Sequence, residues 1–186
     1  MRVVSVIGDS TFFHTGINSL IEVLYNGSKT VNVILDNRIT GMTGHQENPG
    51  SGRHADGSPA PAMDIETIVR ALGAKNVATV NPNDLQEVRK ALDWALSLDE
   101  PSVIITKWPC VLKRMSAGDK EKYPEAFKSK CFVDTPQCVG CRLCTRVGCP
   151  AVSINPIGGK AEIDRAQCVG CEVCSQVCPK NAIKKG

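Results

Sequence analysis

The sequence lacks the segments expected of membrane-spanning and secreted proteins. None of its 186 residues belong to an apolar run of 18 residues or more, which is about the length a membrane-spanning helix needs. Nothing in it resembles a secretory signal peptide. A secreted domain held together by disulfides is therefore a poor explanation for the ten cysteines that the sequence contains.

Eight of these cysteines form two similar runs near the C-terminus. Each run has the spacing C-x2-C-x2-C, followed by a fourth cysteine directly before a proline. Three thiolates at this spacing can bind three corners of an iron–sulfur cubane from one loop, while the fourth ligand comes from the other run. The spacing therefore predicts two [4Fe-4S] clusters. The first would be bound by Cys138, Cys141, Cys144 and Cys178, and the second by Cys168, Cys171, Cys174 and Cys149.

The two runs are an internal repeat with one irregularity. Four residues separate Cys144 from Cys149, whereas three separate Cys174 from Cys178. We expect the additional residue, near Val147-Gly148, to form a bulge that leaves every ligand in place.

Disulfides and zinc are the alternative uses of these cysteines. Zinc sites are usually built from two paired C-x2-C hooks, not from triplets followed by Cys-Pro, and thiolates that bind iron indicate a reducing, oxygen-poor cytoplasm. Cys110 and Cys131 match no ligand spacing, so we expect them to be buried or idle thiols.

The net charge gives no support for a nucleic-acid partner. The formal value is +3, but it counts the ligand cysteines as neutral. A cubane with four thiolates carries about −2, so two clusters would bring the chain to roughly −1. The basic residues concentrate between Lys107 and Lys130, including Lys113 and Arg114, where a solvated connector is the more common explanation.

The first two thirds of the chain alternate predicted strands and helices, beginning with a buried strand. The predicted strands are Arg2–Ile7, Thr30–Leu35, Asn76–Val80 and Ser102–Lys107. The predicted helices run from Ile17 to Leu24, from the cap Asp64 to Leu72, and from Asn81-Pro82 to Ala95. This order predicts an α/β fold with a doubly wound parallel sheet, followed by a small α+β domain of the bacterial ferredoxin type. The expected domains are residues 1–112 and 133–186, with a basic connector at 113–132.

Polar residues follow the first two predicted strands. Asp9 offers a carboxylate and Asn37 an amide oxygen, and such ligands suit Mg2+ shared with a substrate diphosphate. Gly8 would let the backbone approach a ligand, and the amides of Ser10 and Thr11 lie near a helix start that favours phosphate. Asp9 and Asn37 could also be ordinary turn residues.

A Gly- and Pro-rich stretch, Gly41 to Pro61, shows neither helical nor strand periodicity. An aperiodic loop of this length in a compact domain is either functional or disordered.

Together these residues resemble a known family. Gly-Asp-Ser at residues 8–10, followed about thirty residues later by Asp36-Asn37, resembles the diphosphate and magnesium motif of thiamine-diphosphate enzymes. The phrases GDSTFFHTG and LDNRITGMTGHQENPG more specifically resemble the α subunit of indolepyruvate:ferredoxin oxidoreductases, and the resemblance covers essentially the whole chain. It implies thiamine diphosphate as cofactor, with Mg2+ held by Asp9, Asn37 and the carbonyl oxygen of Ile39.

The resemblance also indicates residues whose roles spacing cannot assign. It makes Thr43, His45 and Gln46 candidates for lining the cofactor. His14 is either a helix-start residue or an active-site donor, so it and His45 are weak catalytic candidates. His54 lies in the same loop and is expected to be a surface residue.

The activity that the resemblance implies is oxidative decarboxylation of indolepyruvate or other aryl pyruvates. Coenzyme A takes the acyl group, CO2 is released, and electrons pass through two [4Fe-4S] clusters to an external ferredoxin. Such enzymes also need a pyrimidine-binding domain and a β subunit, so this chain is expected to be the C-terminal portion of a larger subunit and inactive alone. Two alternatives stay open: a non-enzymatic iron–sulfur electron carrier with a docking α/β domain, and the same chemistry on pyruvate or another 2-oxo acid.

Overall fold

A computed structural model describes residues 2–113, 115–124 and 126–186. Arg114, which belongs to the predicted basic connector, lies outside the described residues. The chain divides into two compact units, Met1–Ser116 and Ala117–Gly186. The predicted connector at 113–132 is therefore divided between the units. Lys113 is buried, whereas Lys120, Lys122 and Lys128 are exposed.

The first unit is an α/β domain built on four parallel strands. The strands are β1 (Val3–Gly8), β2 (Thr30–Asp36), β3 (Asn76–Val80) and β4 (Ser102–Lys107). The helical segments are α1 (Asp9–Thr11), a π-helical turn (Phe12–Gly16), α2 (Ile17–Tyr25), α3 (Ile65–Ala71) and α4 (Leu85–Ser97). The strand order in the sheet is β1-β2-β4-β3.

Helices cover both faces of this sheet. On one face, Leu20 of α2 and Val69 of α3 share a buried cluster with Ile34 of β2. On the other face, Ala95 of α4 packs in a second cluster with Val33 of β2. Successive residues of β2 thus enter opposite layers, as the period of a strand requires. This arrangement confirms the predicted doubly wound sheet.

β1 differs from the prediction of a buried strand. It lies at the edge of the sheet, and Val3, Val4 and Val6 are 48%, 46% and 62% exposed. A β-branched run marks a central or an edge strand alike when only its sequence is known. The prediction that β1 is buried is therefore wrong.

The helical run after β1 begins eight residues earlier than predicted. It starts at Asp9 and passes through the π-helical turn into α2. The turn brings Gly16 against β1, where an added Cβ would lie 2.6 Å from the Cδ1 atom of Ile7. A larger residue here would therefore force the end of the Ile7 side chain to move.

Caps define the other two helices of this unit. Asp64 accepts a hydrogen bond from the N–H of Thr67, so α3 begins where it was predicted. α4 begins at Leu85 rather than at Asn81-Pro82, because the side chain of Asp84 caps it by accepting from the N–H groups of Gln86 and Glu87.

The second unit is a small α+β domain with two short antiparallel strand pairs. Its elements are α5 (Ala117–Lys122), β5 (Cys131–Val133), a 3-10 helix (Leu143–Val147), β6 (Val152–Ile154), β7 (Ala161–Ile163), α6 (Val173–Gln176) and β8 (Ile183–Lys185). β5 pairs with β8 and β6 with β7, both antiparallel. Among the described residues, no helix is long and apolar enough to cross a membrane.

Candidate functional site

Asp9 lies directly after β1 and is only 3% exposed. Its Oδ1 atom accepts a hydrogen bond from the N–H of Ser10 at 2.8 Å, and its Oδ2 atom accepts one from Nδ2 of Asn48 at 3.2 Å. Burial raises the pKa of this carboxyl, while the hydrogen bonds from Asn48 and Ser10 oppose that rise. A buried carboxylate of this kind is stabilised by a nearby cation.

Asn37 follows β2 at the neighbouring strand end, since β1 and β2 are paired in parallel. Its Oδ1 atom accepts a hydrogen bond from the N–H of Ile39 at 3.1 Å, and its backbone oxygen accepts one from Cys110 at 3.0 Å. Arg38, which lies between Asn37 and Ile39, adopts a left-handed conformation with φ of 62°. This tight turn fixes the amide oxygen of Asn37 at the carboxyl end of the sheet.

Asp36 was predicted as part of the Asp-Asn motif but was given no role of its own, and Lys107 was not predicted to belong to this region. Asp36 is 6% exposed, and its carboxylate lies 3.7 Å from Nζ of Lys107 at the end of β4. Burial raises the pKa of Asp36, and the positive charges of Lys107 and Arg38 oppose the rise. A polar residue at the end of each adjacent strand is the signal that could have identified them.

Lys107 also reaches Asp64, the cap of α3, at 2.6 Å. Burial opposes ionisation of Asp64, but its hydrogen bonds with Lys107 and Thr67 hold the pKa at about 2. Lys107 thus connects the ends of two strands with the start of a helix.

The aperiodic loop, Gly41 to Pro61, contains an ordered turn that contacts Asp9. Asn48 is 6% exposed, and its Oδ1 atom accepts a hydrogen bond from the N–H of Gly50 at 2.9 Å. The hydroxyl of Ser51, itself 1% exposed, donates to the backbone oxygen of Asn48 at 2.8 Å. Asn48 was not predicted as a site residue, because an asparagine in a loop rich in turn residues carries no distinctive spacing.

The other predicted residues near Asp9 surround the start of the helical run. The hydroxyl of Thr40 donates to Oγ of Ser10 at 2.9 Å, which ties the segment after β2 to the segment after β1. Thr11 and His14 are exposed, and Nδ1 of His14 lies 2.6 Å from the backbone oxygen of Ser10. Open space lies where a Cβ atom on Gly8 would be.

Thr43, His45 and Gln46 lie together in an exposed turn of the loop. The hydroxyl of Thr43 donates to Oε1 of Gln46 at 2.7 Å, and His45 has a left-handed φ of 63°. His54 is also exposed. None of the hydrogen bonds described for these four residues reaches Asp9 or Asn37.

The residues at the two strand ends fit a magnesium diphosphate group. Each oxygen of Asp9 and the amide oxygen of Asn37 accepts one described hydrogen bond, and each has a further lone pair that could bind a metal. Mg2+ needs few protein ligands because it retains waters and shares substrate phosphates. The N–H groups at the start of the run from Asp9 to Tyr25 are suited to phosphate oxygens.

The second unit brings the first set of cysteines together around one cavity. Its lining includes Cys138, Cys141, Cys144 and Cys178, so the fourth cysteine of the second run lies with the first three of the first run. Burial raises the pKa of the Cys144 thiol, and the other three thiols of the set raise it further. Backbone N–H groups, including that of Ala161, lower the pKa of Cys138.

The second set of cysteines is also close together. The pKa of the Cys174 thiol is raised to about 12, first by burial and then by the neighbouring thiols of Cys131, Cys171 and Cys149. Cys168 joins this group through Cys131, whose N–H donates to the Sγ atom of Cys168 at 3.3 Å. Cys131 therefore lies beside predicted cluster ligands, although it matches no ligand spacing.

The loops that carry the cysteines depend on glycine. Gly140 and Gly170 have φ values of 70° and 71°. An added Cβ on Gly140 would lie 2.7 Å from the backbone oxygen of Gly159, and one on Gly170 would overlap the backbone oxygen of Ser129. Gly148, near the expected additional residue of the first run, ends the 3-10 helix with a left-handed φ of 72°.

Within the described residues, no three His, Cys, Asp or Glu side chains converge to hold a single metal ion. A cubane, in which each thiolate binds a different iron atom, does not need its ligands to meet at one point.

Comparisons with known proteins assign both units. Residues 1–106 match the family model of the thiamine pyrophosphate enzyme C-terminal TPP binding domain, and residues 161–184 match that of the 4Fe-4S binding domain. Over 98% of its length the chain is 39% identical to the indolepyruvate oxidoreductase subunit IorA of Pyrococcus horikoshii. Over 84% of its length it is 43% identical to the IorA subunit of Methanothermobacter thermautotrophicus.

The chain spans 28% of the length of these curated relatives. Among solved structures, a 2-oxoglutarate:ferredoxin oxidoreductase from Magnetococcus marinus aligns with 63% of this chain and 44% of its own, with a TM-score of 0.55 and 18% identity. At that identity the likeness shows a common fold alone.

Proposed function

Because the chain belongs to the thiamine pyrophosphate enzyme family through its C-terminal TPP binding domain, we propose that it is part of a thiamine-diphosphate-dependent 2-oxoacid:ferredoxin oxidoreductase. Its proposed substrates are indolepyruvate and related aryl pyruvates, which are oxidatively decarboxylated to the aryl-acetyl-CoA with release of CO2. The similarity to curated IorA subunits supports this substrate class.

One observation carries the proposal. The chain combines the buried Asp9 and the half-buried Asn37, at two adjacent strand ends, with a separate unit that gathers eight cysteines into two sets. The first feature suits a cofactor that acts on 2-oxo acids, and the second suits the removal of electrons one at a time. A simple electron carrier would use only the second feature.

In the first unit, the proposed role of the strand ends is to bind and orient the diphosphate. Asp9, Asn37 and the backbone oxygen of Ile39 would hold Mg2+, and the N–H group of Thr11 would donate to a phosphate oxygen, while that of Ser10 donates to Oδ1 of Asp9. When bound, thiamine diphosphate supplies the nucleophile and electron sink for decarboxylation of a 2-oxo acid. Burial of Asp9 keeps its carboxylate away from bulk water, so a metal ion would be its main source of compensating charge.

Thr43 and Gln46 are proposed to line the cofactor from the exposed turn that contains them. Their mutual hydrogen bonds hold the turn in one conformation. His14 and His45 remain weak candidates for proton transfer, because both are exposed and the hydrogen bond of His14 goes to a backbone oxygen.

In the second unit, the proposed role of the cysteines is to hold two [4Fe-4S] clusters with crossed ligation. Cys178 would join the first run and Cys149 the second, so each cluster would connect both halves of the domain. Cluster binding would therefore also stabilise this small fold. An external ferredoxin is the proposed electron acceptor, with coenzyme A as the second substrate and the pyrimidine-binding domain and β subunit as partners.

Anaerobic purification of the chain from its source cell, together with its bound partners, tests this function. The complex is expected to contain thiamine diphosphate and to reduce ferredoxin in a coenzyme A-dependent reaction, faster with indolepyruvate or phenylpyruvate than with pyruvate. Iron and sulfide without thiamine would indicate the electron-carrier alternative. A preference for pyruvate would retain the chemistry and overturn the substrate.

The proposed dependence on partners has its own test. The isolated chain, loaded with its cofactors, is expected to show no dye reduction driven by 2-oxo acids. Activity without an added subunit would contradict this expectation.

A further inference from the structure

Cys131 is a fifth thiol at the second set of cysteines. It lies at the start of β5, is 1% exposed, and packs in the same buried cluster as Cys168 and Cys174. Its backbone N–H donates to the Sγ atom of Cys168 at 3.3 Å. Its thiol therefore shares a buried space with the thiols of Cys168 and Cys174. Both of its partners are proposed ligands of the second cluster.

The internal repeat supplies a natural comparison for this position. Cys131 precedes the first cysteine of its run by the same number of residues as Ala161 precedes Cys168. The backbone contact is also repeated, because the N–H of Ala161 donates to the Sγ atom of Cys138 at 3.4 Å. In each set of cysteines, a main-chain N–H thus donates to a proposed ligand sulfur. Only in the second set does the residue that carries this N–H also bring a thiol.

We propose that Cys131 is a positioning residue that tunes the second [4Fe-4S] cluster, its S–H group donating a hydrogen bond to the ligand sulfur of Cys168 or Cys174. The proposal rests on the cluster assignment in the proposed function.

The physical reason lies in the charge of a reduced cluster. Adding one electron makes the ligand sulfurs more negative, so a donor that points at them stabilises the reduced state more than the oxidised state. Cys131 therefore raises the reduction potential of the second cluster. An alanine at this position, as at Ala161 in the other half, has no side-chain donor.

The direct test uses the full chain, purified anaerobically, with Cys131→Ala as the perturbation. Iron and sulfide content is measured first, and each cluster is then followed by electron paramagnetic resonance during a redox titration. A weak S–H donor to a charged sulfur should contribute on the order of 1 kcal/mol, so the ratio of reduced to oxidised second cluster at a fixed potential should fall about three- to tenfold. The first cluster should titrate as in the unaltered chain.

Two matched variants separate the hydrogen bond from packing. Cys131→Ser keeps a donor, and its second cluster should titrate at a higher potential than in Cys131→Ala. Ala161→Cys adds a thiol at the equivalent place in the other half, and it should raise the potential of the first cluster. If Cys131→Ala does not retain its iron, the reduction potential of the first cluster in Ala161→Cys decides whether the proposal holds.

An unchanged second cluster in Cys131→Ala, or an unchanged first cluster in Ala161→Cys, overturns the proposal. Failure of the underlying cluster assignment would look different. In that case the unaltered chain itself would lack the iron and the two resonance signals expected of two cubanes.

Discussion

Substitution of Asn48 by alanine tests how the long loop supports the predicted metal site. The side chain of Asn48 donates to Oδ2 of Asp9 and accepts from the N–H of Gly50. A hydrogen bond to a charged group contributes about 1.5–3 kcal/mol, and the neutral one contributes about 1 kcal/mol. Both are buried, so Asn48→Ala should lower the free energy of unfolding of the first unit by about 2–4 kcal/mol.

The stability lost in Asn48→Ala should also depend on pH. Burial raises the pKa of Asp9 above 3.8, so the folded unit takes up a proton more readily than the unfolded chain, and ionisation of Asp9 costs stability as pH rises through that raised pKa. Asn48 offsets part of this cost. The difference between variant and unaltered chain should therefore grow as pH rises from about the ordinary carboxyl pKa of 3.8 towards neutral pH, and Mg2+ should reduce it.

Urea denaturation of the full chain, followed by tryptophan fluorescence, measures this effect. Trp94 and Trp108 are the only tryptophans, and both belong to the first unit. Gln46→Ala is the matched control, because Gln46 lies in the same loop with exposed hydrogen bonds and its removal should cost less than about 0.5 kcal/mol. Equal losses in both variants, or a loss independent of pH, would refute the role assigned to Asn48.

Three further substitutions test other parts of the account. Lys107→Met removes the cation beside the buried Asp36, which should raise the pKa of Asp36 further and destabilise the first unit by about 3 kcal/mol in urea titrations at neutral pH. This loss of stability should shrink as pH falls and Asp36 is protonated, and a loss that does not change with pH would contradict this. Gly170→Ala places a Cβ against a backbone oxygen at positive φ, so its iron content should fall sharply, whereas Gly158→Ala meets no close contact and should keep its iron. Equal iron content in the two variants would show that the loop adapts. Cys149→Ser should perturb the resonance of the second cluster more than that of the first, and the opposite order would exclude crossed ligation.

Much of the first unit could be predicted because its signals are local. The bounds of β3 and β4 agree with the prediction, since apolar β-branched runs there are bounded by turn residues. The exposure of β1 could not be predicted, because edge and centre differ in what lies beside the strand. The start of α4 was misplaced because Asn81-Pro82 resembles a helix start, while the actual cap is Asp84.

The residues of the candidate site also divide into those with a local signal, which could be predicted, and those without one, which could not. Asp9 and Asn37 could be placed at the candidate site because each directly follows a strand. Asn48 reaches Asp9 across 39 positions in sequence, and Cys131 reaches Cys168 across 37. Contacts at such distances depend on loop conformation and strand pairing, which no spacing rule encodes. The expectation that Cys131 is buried is confirmed, and the structure adds its contact with Cys168 and its place in the buried cluster of the second set.

The most direct test of the central claim is the cofactor content of the anaerobically purified protein and its Asp9→Asn variant. We expect thiamine diphosphate and Mg2+ in the unaltered protein, with about eight iron atoms per chain if both cubanes are present. Asp9→Asn should lose thiamine and magnesium while keeping all of its iron, because Asp9 and the cysteines belong to separate units. Full iron with no thiamine in the unaltered protein, or equal thiamine in the variant, would contradict the account.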